Sequence, residues 1–286
     1  MSKIAKILPG DNEFSAPLAQ LAMPPKQLYV VGQLPTERRT TVAIVGTRKP
    51  TSYGKEVTMR LTEALARRGV VIVSGLALGV DAIAQKAALD AGGTTIAVLA
   101  NGLHRIYPAT NRDLGLSIVS GGGAIVSEYE DGIEPMHHRF LERNRIVSGL
   151  ADAVIITEAA ARSGTLNTAG HAIEQGRDLY AVPGPITSPM SMGCNTVIRQ
   201  GATPLVNIDE FVHTLTAASD PEQVLLPIGG NDIEQAIIDT LASGMRDGDE
   251  IQKQLGIDAR ELSMALTMLE INGAIAPLGA NQWRLR

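Results

Sequence analysis

From Thr41 onward the chain alternates between short, nearly continuous apolar runs and longer segments whose apolar positions recur with helical spacing. The apolar runs are TVAIV (41–45), VVIVS (70–74), TIAVL (95–99), GAIVS (123–127), DAVIIT (152–157), DLYAV (178–182) and TPLV (203–206). Runs without polar alternation are what strands covered on both faces require. The segments between them, among them GKEVTMRLTEALARRG, VDAIAQKAALDAGG and TLNTAGHAIEQGR, have helical period and close on glycine, which tolerates a left-handed cap. Repeated strand-helix units predict an α/β fold with a doubly wound, mostly parallel sheet. Ligands of such sheets bind outside the carboxyl ends of the strands.

The pattern breaks twice. Residues 1–26 show no period and contain MPPK, so they are expected to form an extended lead-in to a domain spanning 27–216. Residues 217–229, with Pro221 and Pro227, are expected to be a linker. Beyond it, 230–286 reads as three short helices, two of them behind Asp or Asn in N-cap position, and a hairpin around Gly279 to Asn281. Three helices and a hairpin predict a small winged-helix domain. In its last helix Met264 and Met268 fit the apolar stripe and are expected in the core.

Charge refines this division. The net charge is -5, yet residues 1–227 carry 20 Lys+Arg against 21 Asp+Glu, while 228–286 carry 5 against 9. A uniformly basic nucleic-acid binder is excluded, but a local basic cleft in the larger domain is not. The acidic C-terminal domain is expected to contact protein rather than duplex DNA, with Arg284 and Arg286 on the wing speaking for the duplex. No apolar run reaches the roughly 18 to 20 residues needed to cross a bilayer, and the start MSKIAKILPGDNEF has no secretory pattern, so no membrane partner and a cytoplasmic location are expected. The single cysteine, Cys194, excludes an intrachain disulfide and a multi-cysteine zinc site. His171 and Glu174 could pair on one helix face, but two ligands without a third are more often a local contact.

The strand ends carry the candidate chemistry. The first turn, IVGTRKPTSYGKE, has neither nucleotide signature: seven residues separate Gly46 from Gly54, and Glu56 follows Lys55 where a hydroxyl would hold magnesium. No cofactor is therefore expected. Gly46, Thr47, Arg48 and Ser52 instead offer backbone donors and a cation to an anion. The second turn, VSGLALGVDAIA, repeats the theme with Ser74 and Gly75. Its Asp81 would repel a phosphate and is expected to cap the helix or orient an arginine. The third, TEAAARSGTLNTA, places Arg162, Ser163, Gly164 and Thr165 ahead of a helix. Three such turns on one sheet edge predict a cleft for several phosphates.

The stretch HHRFLERNR (137–145) is expected to open a helix beside that cleft, bringing Arg139, Phe140, Arg143, Asn144 and Arg145 to it. Arginine holds phosphate bidentately and an exposed ring stacks on a base, a combination suited to unpaired nucleic acid. The alternative is that Phe140 packs into the core and Arg143 pairs with Glu142 or Glu128.

The motifs VGTRKPTSYG, VSGLALGVDAIAQKAAL, AVLANGLHRIYPATNRDL, GGGAIVSEY, FLERNRIVSGLADAVIITEA, RSGTLNTAGHAIEQGRDLYAVPGPI and SMGCNTVIRQGATPLV together resemble the DNA-processing protein A (DprA/Smf) family, in order from about Lys26 to Phe211. The resemblance implies an extended Rossmann-like fold that binds single-stranded DNA at the strand ends, dimerises, and loads RecA recombinase onto incoming strands in natural transformation, without enzymatic activity. It places the pocket on Gly46, Thr47, Arg48, Phe140, Arg143, Asn144, Arg145, Ser163 and Gly164. Members often carry proline where this chain has Leu141 and a lysine near His137 and His138, and many begin with a helical SAM-like domain for which no room is expected here. A distant likeness to lysine-decarboxylase-like (LOG) hydrolases of nucleoside monophosphates is the rival reading. There Thr168 occupies the slot of the catalytic glutamate. A plain protein-interaction scaffold is the third.

Overall fold

The computed structural model describes residues 4–217, 230–243, 245–279 and 281–285. Two compact units, 1–219 and 220–286, divide the chain. The expected linker lies, from residue 218 on, outside the described residues, as does Arg286.

In the first unit the strands are β1 (Ala5–Ile7), β2 (Leu28–Gly32), β3 (Thr41–Val45), β4 (Val71–Ser74), β5 (Thr95–Val98), β6 (Ala124–Ser127), β7 (Ala153–Ile156), β8 (Asp178–Ala181) and β9 (Thr203–Pro204). They form one sheet in the order β1-β2-β6-β5-β4-β3-β7-β8-β9. From β6 to β9 every pairing is parallel, while β2 runs antiparallel to β6 and β1 to β2. Val42, Ala43, Ile44 and Val154, Ile155, Ile156 are fully buried, as continuous apolar strands between two helical layers must be. The helices are α1 (Ser52–Arg67), α2 (Val80–Asp90), α3 (Arg112–Ser120), α4 (His137–Leu150), α5 (Thr165–Glu174), α6 (Met192–Arg199) and α7 (Ile208–Ala217). After β3 the chain winds through β4, β5 and β6 on one side, then returns to place β7 on the other. The carboxyl ends of β3 and β7 therefore flank a topological switch point.

The first 26 residues differ from the lead-in expected of them. They supply β1 and two short 3-10 turns, and Phe14 and Leu18 are fully buried against the core beneath α4. Each such burial contributes about 1.5–3 kcal/mol, so this segment is part of the domain's stability.

The second unit holds α8 (Asp232–Ala242), α9 (Gly248–Leu255), α10 (Ala259–Ile271) and the hairpin β10 (Ile275–Gly279) and β11 (Gln282–Leu285). Asn231, Asp247 and Asp258 cap the three helices, accepting from backbone amides two or three residues on. Ile237, Ile238, Ile251, Leu262, Leu266 and Leu269 form its core. Met264 and Met268 do not join it: they are 62% and 47% exposed. At 100° per residue they fall on the face of α10 opposite Leu262 and Leu266, so the apolar stripe read from the sequence is two stripes.

Candidate nucleic-acid interface

A cleft of about 510 Å³ opens at the switch point. Gly46 and Arg48 line it from the first turn, Ser163, Gly164 and Thr165 from the third, Phe140, Arg143 and Asn144 from α4, and Tyr107 from the loop after β5. Phe140 lies with its ring centroid 5.9 Å from that of Tyr107, and the Arg48 guanidinium stands 5.5 Å from the Phe140 ring centre. The two rings are tilted by 53° to one another, so with the cation over Phe140 they form an aromatic corner carrying positive charge rather than a flat stack.

Beneath the platform lies a buried cation. Arg143 is 4% exposed, and its Nη1 donates to the carbonyl of Gly75 at 2.7 Å and to that of Val98. The guanidinium thus staples the ends of β4 and β5. Asp81, 6% exposed, accepts from the amides of Gly75 at 3.1 Å and Ala77 at 3.4 Å. Burial pushes the Asp81 carboxyl above its ordinary range, opposed by the nearby Arg143 cation and the two amides. Burial likewise pulls Arg143 below its usual value, and Asp81 opposes that shift. Asp81 was expected to cap its helix or orient an arginine; its hydrogen bonds go instead to the Gly75 and Ala77 amides of the turn, and it acts on Arg143 through charge alone. At Gly75 an added Cβ would fall inside the guanidinium of Arg143, so only glycine fits there.

The three turns are unequal, which the sequence did not reveal. At the first, the backbone amide and hydroxyl of Thr51 donate to Glu158 at 2.8 and 2.6 Å, and Thr47 donates its amide to the Glu158 carbonyl at 2.8 Å. Glu158 is 3% exposed. An internal carboxylate fills the N-terminus of α1, so Ser52, which does not line the cleft, is not at a vacant anion seat. At the second turn Asp81 consumes the Gly75 amide, and the Ser74 hydroxyl is buried, donating to Ile44 at 2.7 Å. Neither residue lines the cleft: Gly75 holds Arg143 through its carbonyl, and Ser74 ties β4 to β3. Only the third turn has no carboxylate at its helix start: α5 carries no acid in its first turn, and the Thr165 hydroxyl donates to the Gly46 carbonyl at 2.9 Å, tying the third turn to the first.

Three expected arginines also lie elsewhere. Arg145 pairs with Glu128 at 2.5 Å, the two side chains being 12% and 15% exposed, and lines a separate pocket with His171, Gln175 and Arg177. Burial raises the Glu128 carboxyl, and Arg145 opposes that shift. Arg139 donates to the Glu134 carbonyl and lies 5.4 Å from the Tyr129 ring centre. Arg162 is exposed on its loop and does not line the cleft. Successive helical positions turn by about 100°, so Arg143 and Arg145 cannot share one wall. Tyr107 carried no signal in the sequence; only the fold brings it to Phe140. His171 makes a local contact with Glu174 at 3.3 Å. Among the described cleft-lining residues Asp81 is the one carboxylate.

Comparison with known proteins agrees with this architecture. The profile of DNA recombination-mediator protein A matches residues 5–216, and that of the DprA winged helix domain residues 216–281. Protein Smf of Escherichia coli is 38% identical across 98% of this chain and 77% of its own length. The DNA processing protein DprA of Bacillus subtilis is 39% identical across 67% of this chain and 65% of its own. The structure of DprA from Helicobacter pylori, described for its single-stranded DNA binding mode, superposes with a TM-score of 0.66 at 36% identity, covering 76% of this chain and 97% of that one. DprA from Streptococcus pneumoniae gives 0.68 at 36% identity, covering 73% and 74%. With one profile covering the sheet domain, a second covering the appended winged helix, and relatives more than a third identical over most of their length, the chain belongs to the DNA recombination-mediator protein A (DprA/Smf) family.

Proposed function

We propose that this protein binds single-stranded DNA in the switch-point cleft and acts as a recombination mediator with no chemistry of its own. The observation that carries this reading is the Tyr107–Phe140–Arg48 platform above a buried arginine. A ring can stack on a base only when that base is unpaired, so the platform favours single strands over duplex. In this reading Phe140 stacks a base, Arg48 holds a phosphate, and Gly46, Asn144, Ser163, Gly164 and Thr165 let the strand approach the backbone closely, while Thr47, which does not line the cleft and gives its amide to the Glu158 carbonyl, holds the first turn in place. Arg143 acts as a fixed positive charge in the floor. Arg139, Arg145 and Arg162, outside the cleft, would meet only strand leaving it.

The family relationship extends the reading: protection of incoming DNA, loading of RecA recombinase, a homodimer that joins two clefts on one strand, and a cytoplasmic setting. Linked clefts would raise affinity through effective concentration. Among the described residues no helix is long and apolar enough to cross a membrane.

Titrating an unpaired oligonucleotide at increasing salt tests the reading. Affinity is expected to fall with a log-log slope of about 0.7 per neutralised phosphate, hence at least about 1.4 for two contacts. Binding insensitive to salt would favour the scaffold reading. Release of free base from a nucleoside monophosphate would favour the hydrolase. Against that rival, the one carboxylate lining the cleft, Asp81, is buried and engaged by two amides.

A further inference from the structure

In winged-helix proteins the third helix is the one that enters the duplex groove, and its exposed face then carries base- and phosphate-contacting side chains. Here that helix is α10, and its outward face carries an exposed apolar stripe flanked by Arg260 and Thr267. Met264, Met268 and Ile271 are 62%, 47% and 73% exposed and stand at i, i+4 and i+7 on one stripe. A contiguous exposed stripe of this kind marks an interaction surface. Methionine in particular adapts its shape to a partner.

A groove of about 260 Å³ adjoins the stripe. Thr267, three residues after Met264 and four before Ile271, lines it from α10, Asp249 and Gln252 line it from α9, and Trp283 closes it from the wing. Asn281 donates to Asp249 at 2.9 Å and so holds that carboxylate at the rim. Glu250, Asp258, Glu261 and Glu270 are all exposed on α9, α10 and the cap between them, against Lys253 and Arg260. The surface is therefore apolar with an acidic surround.

We propose that this face of the winged helix docks a basic, amphipathic helix from a partner protein. Apolar side chains of the partner at helical spacing would pack on Met264, Met268 and Ile271, and its lysines or arginines would meet Asp249 and Glu261. The acidic surround selects this occupant over the others. A phosphate backbone is repelled, an anionic lipid surface is repelled, and a second copy would set acid against acid.

Trp283 is the chain's only tryptophan and lines the groove, so its emission reports a helix that covers the stripe and reaches past Thr267 into the groove. The full chain is titrated with a tryptophan-free peptide of leucine and lysine at helical spacing, about 18 residues or five turns long. A saturable change in Trp283 emission is expected, weakened by salt and weakened about fivefold or more in Met264→Ser/Met268→Ser. Both methionines are exposed, so this variant keeps its fold. Its affinity for single-stranded DNA is expected to be unchanged, which separates this proposal from the cleft assignment. No change in emission, an equal response to a scrambled peptide of the same composition, or a saturable response to duplex DNA instead would each overturn the proposal.

Discussion

Replacing Arg48 and Phe140 together by alanine is expected to lower the affinity for an unpaired oligonucleotide about a hundredfold while leaving the fold intact. Base stacking on an aromatic ring is worth about 1–3 kcal/mol, and a charge-assisted contact to phosphate is of similar size. Either loss alone is roughly a tenfold effect or more. The two are coupled, because Arg48 stands over the Phe140 ring and loses its support when the ring is removed. The single substitutions should therefore sum to more than the double. Arg48 is exposed and Phe140 half-buried, so neither change opens a large cavity. Fluorescence anisotropy of a labelled single strand measures all three variants. An effect smaller than about threefold in the double variant would remove the platform from the account.

Arg143→Met is expected to act on the fold instead. The substitution leaves the Gly75 and Val98 carbonyls without their donor and Asp81 buried without its cation. Orphaning two buried carbonyls and stripping a buried carboxylate of the cation near it costs about 3–5 kcal/mol. The loss should depend on pH. Burial already raises the folded-state pKa of Asp81, so the native state binds its proton more tightly than the unfolded chain. The contribution of Asp81 to stability is then fully present below its unfolded value, near pH 4, and is lost as pH rises through the folded value. Without Arg143 the folded value climbs further, and the deficit relative to the parent should widen from acid to neutral pH. Adding Asp81→Asn should recover part of the loss at neutrality. Urea unfolding across that range measures it. A deficit constant with pH would mean that packing, not charge, explains the arginine's burial.

The contrast between Arg48 and Arg143 shows how far the sequence could be read. The central strands were legible because burial on both faces demands an unbroken apolar run, as in TVAIV and DAVIIT. β2 was not, since Leu28 and Val30 are buried while Tyr29 and Val31 are only partly so, the alternation of a strand near the sheet edge. Phe14 and Leu18 were missed because two isolated apolar residues carry no period. The cleft's location followed from topology, and Gly46, Arg48, Phe140, Asn144, Ser163, Gly164 and Thr165 do line it. What composition could not supply was the partner of each charge. Glu128 answers Arg145 from 17 positions upstream, and Glu158 fills the N-terminus of α1 from 107 positions downstream of Thr51. Such pairings arise only when the sheet brings distant strand ends together. The same holds for Tyr107, which meets Phe140 across the cleft mouth.

The central claim, that the strand is held at the switch point by the wall carrying Arg48 and not by every arginine of α4, is tested most directly by one comparison. Single-strand affinity is measured for Arg48→Ala and for Glu128→Gln/Arg145→Gln, which removes the second arginine together with its buried acid. Arg48→Ala should weaken binding about tenfold or more, while the neutralised pair stays within about threefold of the parent. If the pair instead abolishes binding and Arg48→Ala leaves it unchanged, the strand runs through the other pocket and the account is wrong.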